Sequence, residues 1–245
     1  MNWAFRRQFF YALAILIALG LVLTGVWFAF FYHVSTCSDG IQNQDEGGID
    51  CGGSCTKLCT APLVSALWAR AVEAGPGVYH AVALVRNPET DAGTDALPYT
   101  FSLYDADNVL IAERSSTMYL APGEVAPLFA GDIVTGNRIP MRAFVRFGTA
   151  IWQKMESEQN PIRVTSQNLD QEALRLTAHI ENATAIIIPR ATISALLYDA
   201  EGNLVNASQT TVSDFPARGE KDIVFTWQKP FSAPVVRFDV TPRVH

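Results

Sequence analysis

The sequence is poor in clustered positive charge. Its 18 Lys and Arg are outnumbered by 24 Asp and Glu, for a net charge of −6. Beyond the pair Arg6 and Arg7 the basic residues form no run, and every acid follows that pair. Phosphate backbones are gripped by grouped Lys and Arg, so this composition excludes a nucleic-acid partner. It equally excludes an electrostatic hold on anionic lipid by the rest of the chain. Short catalytic motifs are also missing: there is no Gly-x-Ser-x-Gly elbow, no His-Glu-x-x-His and no Gly-rich phosphate loop. The four histidines, His33, His80, His179 and His245, sit in dissimilar settings. His80 and His179 fall inside strand patterns and are expected to face solvent or a strand neighbour, not a metal. No catalytic residue is assigned, and the expectation is a protein that is not an enzyme. Cysteine is absent after residue 59.

Charge of either sign is missing from Phe9 to Tyr32. As a helix this stretch spans about 36 Å, enough to cross roughly 30 Å of hydrocarbon with some tilt. Trp3 and Phe5 lie at one end, and Trp27, Phe28, Phe30, Phe31 and Tyr32 crowd the other, as interfacial aromatics do. A cleaved signal peptide has a shorter apolar core with small residues at the cut; here aromatics fill that place. Lipidation of Cys37 is disfavoured by Thr36, where a small Gly or Ala is usual. The reading is therefore a single-pass transmembrane helix over 9–32. Arg6 and Arg7 place residues 1–8 in the cytoplasm and everything after the helix outside it.

All four cysteines, Cys37, Cys51, Cys55 and Cys59, follow that helix closely. An even number just outside a membrane reads as two disulfides, and four cysteines allow three pairings. Zinc is the rival, but the spacing matches no Cys-x2-Cys knuckle and no His lies among them. Between the cysteines stand Asp39, Asn43, Asp45, Glu46 and Asp50, interspersed with glycines. Calcium takes six to eight oxygens from such side chains and from backbone carbonyls, and glycine lets a loop curl tightly enough to present them. These five residues are the candidate Ca²⁺ ligands. The alternative is a solvated acidic turn held by disulfides alone. The string Cys37-x-Asp39-Gly40-x-x-Asn43-x-x-Glu46-x-x-x-Asp50-Cys51-Gly52-Gly53-x-Cys55 resembles a Cys-rich element of secreted bacterial proteins. More loosely it is similar to calcium-binding thrombospondin type 3 repeats. That resemblance implies a disulfide-bonded, Ca²⁺-stabilised neck over 37–60.

The remainder repeats itself. Phe101-Ser-Leu103-Tyr104-Asp105-Ala-Asp107-Asn108 recurs 94 positions on as Ala195-Leu-Leu197-Tyr198-Asp199-Ala-Glu201-Gly202. Val85-Arg-Asn87 pairs with Ile180-Glu-Asn182, Pro122-Gly123-Glu124 with Arg218-Gly219-Glu220, and Pro140 to Phe144 with Pro234 to Phe238. Four matched islands in one order indicate duplicated domains. Each copy reads as β: strands at Tyr79–Arg86 and Leu174–Ile180, then at Tyr99–Tyr104 and Ala191–Tyr198. Turns follow at Asp105 and Asp199, where Asp bonds its own backbone and Asn or Gly accepts positive φ. Arg142–Phe147 and Val236–Val240 alternate, with apolar side chains on one face. The fold class is mainly β. One transmembrane helix and a disulfide neck precede two tandem antiparallel β-sandwiches, at 62–152 and 162–245, joined by a linker at 153–161. In this reading Phe101, Leu103, Leu197 and the rings of Tyr104 and Tyr198 bury, while Asp105 and Asp199 start the turns.

The Phe-x-Leu-Tyr-Asp string resembles the bacterial FxLYD family, and the second copy departs from it at Ala195. The resemblance implies that each copy is a small Ig-like extracytoplasmic β domain. Two Asn-x-Ser/Thr sequons, at Asn182 and Asn206, matter only in a host that glycosylates secreted chains. Taken together, these features describe a membrane-anchored protein of the bacterial cell envelope. Its partners are the bilayer, through residues 9–32, and an unidentified envelope protein or glycan. A structural subunit of a secretion or pilus assembly is the alternative function, and a glycan-active enzyme ranks last.

Overall fold

The computed structural model describes residues 3–31, 36–157 and 159–244. Tyr32, His33 and His245, named above, lie outside the described residues. The chain divides into two compact units, 1–59 and 60–245.

In the first unit, α1 runs from Trp3 to Phe31. Its stretch Arg6–Phe30 has a mean hydropathy of 2.5 and no buried residue. A helix this apolar on every side has no polar face to give to water, so its solvent is lipid or other protein. Thr24 returns its hydroxyl to the Gly20 carbonyl at 2.7 Å, which satisfies the one polar donor at mid-helix. The rest of this unit is the cysteine-rich neck.

The second unit contains the duplication, wired the same way twice. In copy 1, β1 (Ser65–Gly75), β2 (Val78–Arg86) and β5 (Val125–Val134) form a sheet in the order β1-β2-β5. Facing it, β3 (Ala92–Tyr104), β4 (Leu110–Leu120) and β6 (Arg142–Phe147) form β4-β3-β6. In copy 2, β8 (Ile162–Asp170), β9 (Arg175–Asn182) and β12 (Glu220–Thr226) give β12-β9-β8. There β10 (Ile188–Tyr198), β11 (Leu204–Phe215) and β13 (Arg237–Val244) give β11-β10-β13. Every pairing is antiparallel. The short β7 (Gln153–Lys154) pairs with Ala92 and Gly93 at the start of β3. Two residues assigned to the linker thus belong to copy 1, where the neighbouring Trp152 is buried.

The turns follow the sequence expectation. Asp105 Oδ1 accepts from the amides of Asp107 and Val109, and Asp199 Oδ1 from those of Glu201 and Asn203. Asn108 and Gly202 take the positive φ that each turn requires, 61° and 80°. Two matched islands need correction. The Gly123 amide donates to the Glu89 carbonyl, and its counterpart, the Arg218 amide, donates to Thr184. Gly123 therefore corresponds to Arg218, not to Gly219. Likewise Leu103 pairs with Ala143, and Leu197 with Phe238, so Phe238 corresponds to Ala143. A slip of one residue reverses the face. Phe144 accordingly points outward, 57 % exposed, whereas Phe238 packs on the core.

The same register explains how copy 2 tolerates Ala195. Ala195 and Phe225 are both core residues of copy 2. Phe225 pairs with Leu176 where Ala130 pairs with Ala81 in copy 1. Copy 1 buries Phe101 where copy 2 has Ala195, and copy 2 has Phe225 and Phe238 at the places of Ala130 and Ala143. Total side-chain volume is what a core conserves.

Tyr104 and Tyr198 are not core residues of their own domains. Successive strand residues face opposite ways, so Leu103 and Leu197 point in and the tyrosines point out. Tyr104 is half-buried beside Phe144, ring centroids 5.7 Å apart. Tyr198 is 4 % exposed because copy 1 covers it: with Leu196 and Ala207 it packs on Val72, Val82 and Trp68.

Candidate functional site: the disulfide neck and the cleft between the sandwiches

The neck is closed by disulfides Cys37–Cys55 and Cys51–Cys59. Gly53 is sterically required there, and Gly48 is tightly enclosed. A Cβ on Gly53, whose φ is 55°, would stand 2.0 Å from the Asp45 carbonyl oxygen, and one on Gly48 3.0 Å from Cys51 Sγ. The five proposed ligands are folded into this loop, but most of their oxygens hold the chain itself. Asp39 accepts from Thr36 Oγ1 at 2.5 Å, from the Ile41 amide and from Asn43 Nδ2. These bonds, Thr36 foremost, hold its carboxyl below the usual range. Both Asp50 oxygens accept from the Gly40 amide, and Asp45 accepts from Ser54 Oγ.

Two oxygens are less committed. Asn43 Oδ1 is buried without a partner. The Glu46 carboxylate, only 6 % exposed, takes the Asn43 amide on Oε2. Its Oε1 lies 3.4 Å from Cys55 Sγ, a disulfide sulfur with no proton to give. Glu46 converges with Cys37 and Cys55 alone, and among the described residues no three of the four acids gather at one point. Both sulfurs are disulfide-bonded and therefore are not ligands.

A second feature lies between the sandwiches. Arg243, 7 % exposed on β13, reaches from copy 2 into copy 1. Its Nε donates to Glu124 Oε1 at 2.8 Å, and its Nη2 to Glu124 Oε2 at 3.1 Å and to the Tyr119 carbonyl at 2.6 Å. Glu124 also accepts the Ala121 amide at 2.9 Å. Paired forks of this kind fix orientation as well as supply energy. Lys229 meets Glu73 at 2.5 Å elsewhere in the junction, and Trp68 meets Tyr198 edge-on at 6.4 Å. With the apolar cluster, these contacts hold the two copies together.

Beside the clamp opens a cleft of about 620 Å³. Copy 1 supplies Asp95, Tyr99, Thr117 and Phe129, and copy 2 supplies Arg190 and Gln209. The cause is in β10, whose outward side chains change character along the strand. Leu196 and Tyr198 are covered by copy 1, whereas Arg190 is exposed and Thr192 half-buried, and both line the cleft. No motif announces this site, because its walls come from residues far apart in the chain. Arg243 carried no signal in the sequence either, and Glu124 stood out only as part of a repeated island, not as a site residue.

The histidines have strand neighbours, as expected. His80 Nδ1 accepts the Asp132 amide at 3.2 Å and lies against Phe129; burial lowers its pKa. His179 sits beside Asp222 at 2.7 Å and Glu220 at 3.4 Å, and the Asp222 bond raises its pKa. The sequon residue Asn182 is wholly buried and its amide is consumed internally, so the folded protein offers no acceptor there.

No family model matches the chain, and no curated protein does. Among solved structures it is similar to CBD12 from CALX1.2, with 10 % identity, 69 % of this chain and 75 % of that chain covered, and a TM-score of 0.22. It is also similar to red sea bream transglutaminase, with 11 % identity, 76 % of this chain and 31 % of that chain covered, and a TM-score of 0.25. Likenesses this distant bear on neither site.

Proposed function

We propose that this chain is a membrane-anchored, non-catalytic binding module of the cell envelope. In this reading α1 spans the bilayer with its N-terminus in the cytoplasm. The disulfide neck follows outside, and the paired sandwiches meet the partner. The observation that supports it most is the Arg243–Glu124 clamp with its apolar cluster. It turns two small domains into one body with a cleft between them, and domain junctions are where ligand sites concentrate. The test is capture of cross-linked partners by full-length protein in membranes. One protein or glycan retained reproducibly, and lost when the cleft is blocked by substitution, is the expected result. Capture of nothing above an anchor-only control contradicts the reading.

The neck and the repeats are read in the same light. The sandwiches are proposed as FxLYD-type domains, on the Leu-Tyr-Asp strings and their matching Asx turns. Calcium is proposed at the neck on the strength of the unpartnered Asn43 oxygen and the buried Glu46 carboxylate. Asp39, Asp45 and Asp50 would join only by giving up bonds that hold the loop. Binding to the folded state raises the melting temperature by mass action. Full-length protein in detergent, melted with and without about 5 mM CaCl₂, an excess for an extracellular-type site, is expected to show a rise. An unchanged midpoint removes calcium and leaves a spacer held by disulfides alone.

A further inference from the structure

The cleft is bordered by two edge strands, and on β4 the Arg243 guanidinium takes the Tyr119 carbonyl, which leaves the stretch before it to the cleft. β4 pairs only with β3, and β5 only with β2, and both strands line the cleft. An edge strand presents unpaired N–H and C=O groups along one side. Sheets commonly close such an edge with a charge or a proline. The β4 stretch Ser115-Ser116-Thr117-Met118 has neither. Across the cleft stands Arg190. It is exposed, and among the described residues its guanidinium has no hydrogen-bond or ion-pair partner. Arg243, the other guanidinium of the cleft, is neutralised by Glu124. The only free carboxylate of the lining is Asp95, which lies beyond ion-pair distance of Arg190.

From this geometry we infer that the cleft takes an extended peptide, which adds as a strand to the free edge of β4 and sets an acidic side chain against Arg190. Backbone pairing supplies the affinity of such complexes, and pockets for alternate side chains supply the specificity. A guanidinium with no internal partner is suited to carboxylate recognition, since its fork matches the two oxygens. The clamp makes the site rigid before binding, which lowers the ordering cost. This inference rests on the reading of the sandwiches as a binding module, and it names the ligand of that module.

The test uses full-length protein in lipid nanodiscs. The probes are labelled nonapeptide pools, randomised except for a central Glu, Gln or Lys, with blocked termini. The Glu pool is expected to bind roughly tenfold more tightly than the Gln pool, one charge-assisted pair being worth about 1.4 kcal/mol. Arg190→Glu is expected to reverse the order in favour of Lys with an unchanged melting temperature, since Arg190 is exposed. Bound Glu peptide is expected to slow amide exchange over residues 115–118. The inference is overturned if the three pools bind alike, if Arg190→Glu leaves the order unaltered, or if binding protects no β4 amide. An oligogalacturonate that binds through Arg190 without that protection would also overturn it, by making the ligand a sugar acid. A membrane partner captured equally by wild type and Arg190→Glu would retain the binding-module reading and remove this one.

Discussion

Replacing Asn182 with alanine should unfold the second sandwich at markedly lower temperature, though the residue touches nothing outside the protein. Its side chain is wholly buried at the end of β9. Nδ2 donates to the carbonyls of Ile186 at 2.8 Å and Pro216 at 2.9 Å, and Oδ1 accepts from the amide and hydroxyl of Thr184 at 3.0 and 2.7 Å. One side chain thus ties three chain segments. Alanine leaves these groups without partners away from water, at roughly 1–3 kcal/mol for each group that cannot reach solvent. Thr184 and Ile186 are close enough to the surface to recover part of that. A net loss of about 3 kcal/mol is expected, or roughly 6–12 °C for a unit of this size. The duplication supplies an internal replicate. Asn87, equally buried, donates to Ala92 and Ala121 at 2.7 and 2.8 Å and accepts the Glu89 amide at 3.1 Å. Asn87→Ala should cost a similar amount. Asn182→Asp keeps the shape but sets a carboxylate against two carbonyls. It should be worse than alanine at pH 8 and recover as acid protonates it. Tryptophan fluorescence melts in detergent read all three. Alanine variants that melt within about 1 °C of wild type, or an Asn182→Asp variant as stable as wild type at pH 8, would refute the bracing role.

Other outcomes follow from the same contacts. Glu124→Ala strands a buried guanidinium, and about 3 kcal/mol, the low end for a broken buried pair, is expected to be lost. A double-mutant cycle with Arg243→Ala should show coupling, whereas additivity within about 0.5 kcal/mol would mean that no clamp exists. NMR titration should place the pKa of His179 above and that of His80 below the ordinary histidine value of about 6.5. The His179 contribution to stability is then present below that value and fades as pH rises through its folded pKa. That of His80 has the opposite sign: stability falls as pH drops through 6.5, because the unfolded chain takes up the proton first. Identical titration of the two rings would contradict both settings.

Much of this architecture is legible in the sequence, for local reasons. An uncharged run long enough to cross hydrocarbon reads directly as a helix, and the Asp-led turns carry their own hydrogen-bond chemistry. The strand at Arg142–Phe147 alternates, and the one at Tyr79–Arg86 is an apolar run that stops before Asn87, so their limits are found within a residue. What escapes is whatever depends on distant partners. The outward aim of Tyr198 is fixed by β-strand alternation, but its burial depends on Trp68 from the other copy. The one-residue slip that separates Phe144 from Phe238 is set by pairing with β3 and β10, which the matched letters did not reveal. The pairing of four close cysteines is a property of the folded loop. Arg190 and Thr117 look like ordinary surface residues until two sandwiches are placed side by side.

That most of the chain lies beyond the membrane in an oxidising space is tested most directly by its thiols. Cells expressing the full-length protein would be lysed into a mass-shifting maleimide, with and without prior reduction. No shift before reduction and four added masses after it are expected, with peptide mapping that joins Cys37 to Cys55 and Cys51 to Cys59. Free thiols in the unreduced sample would place the neck, and all that follows it, on the wrong side of the bilayer.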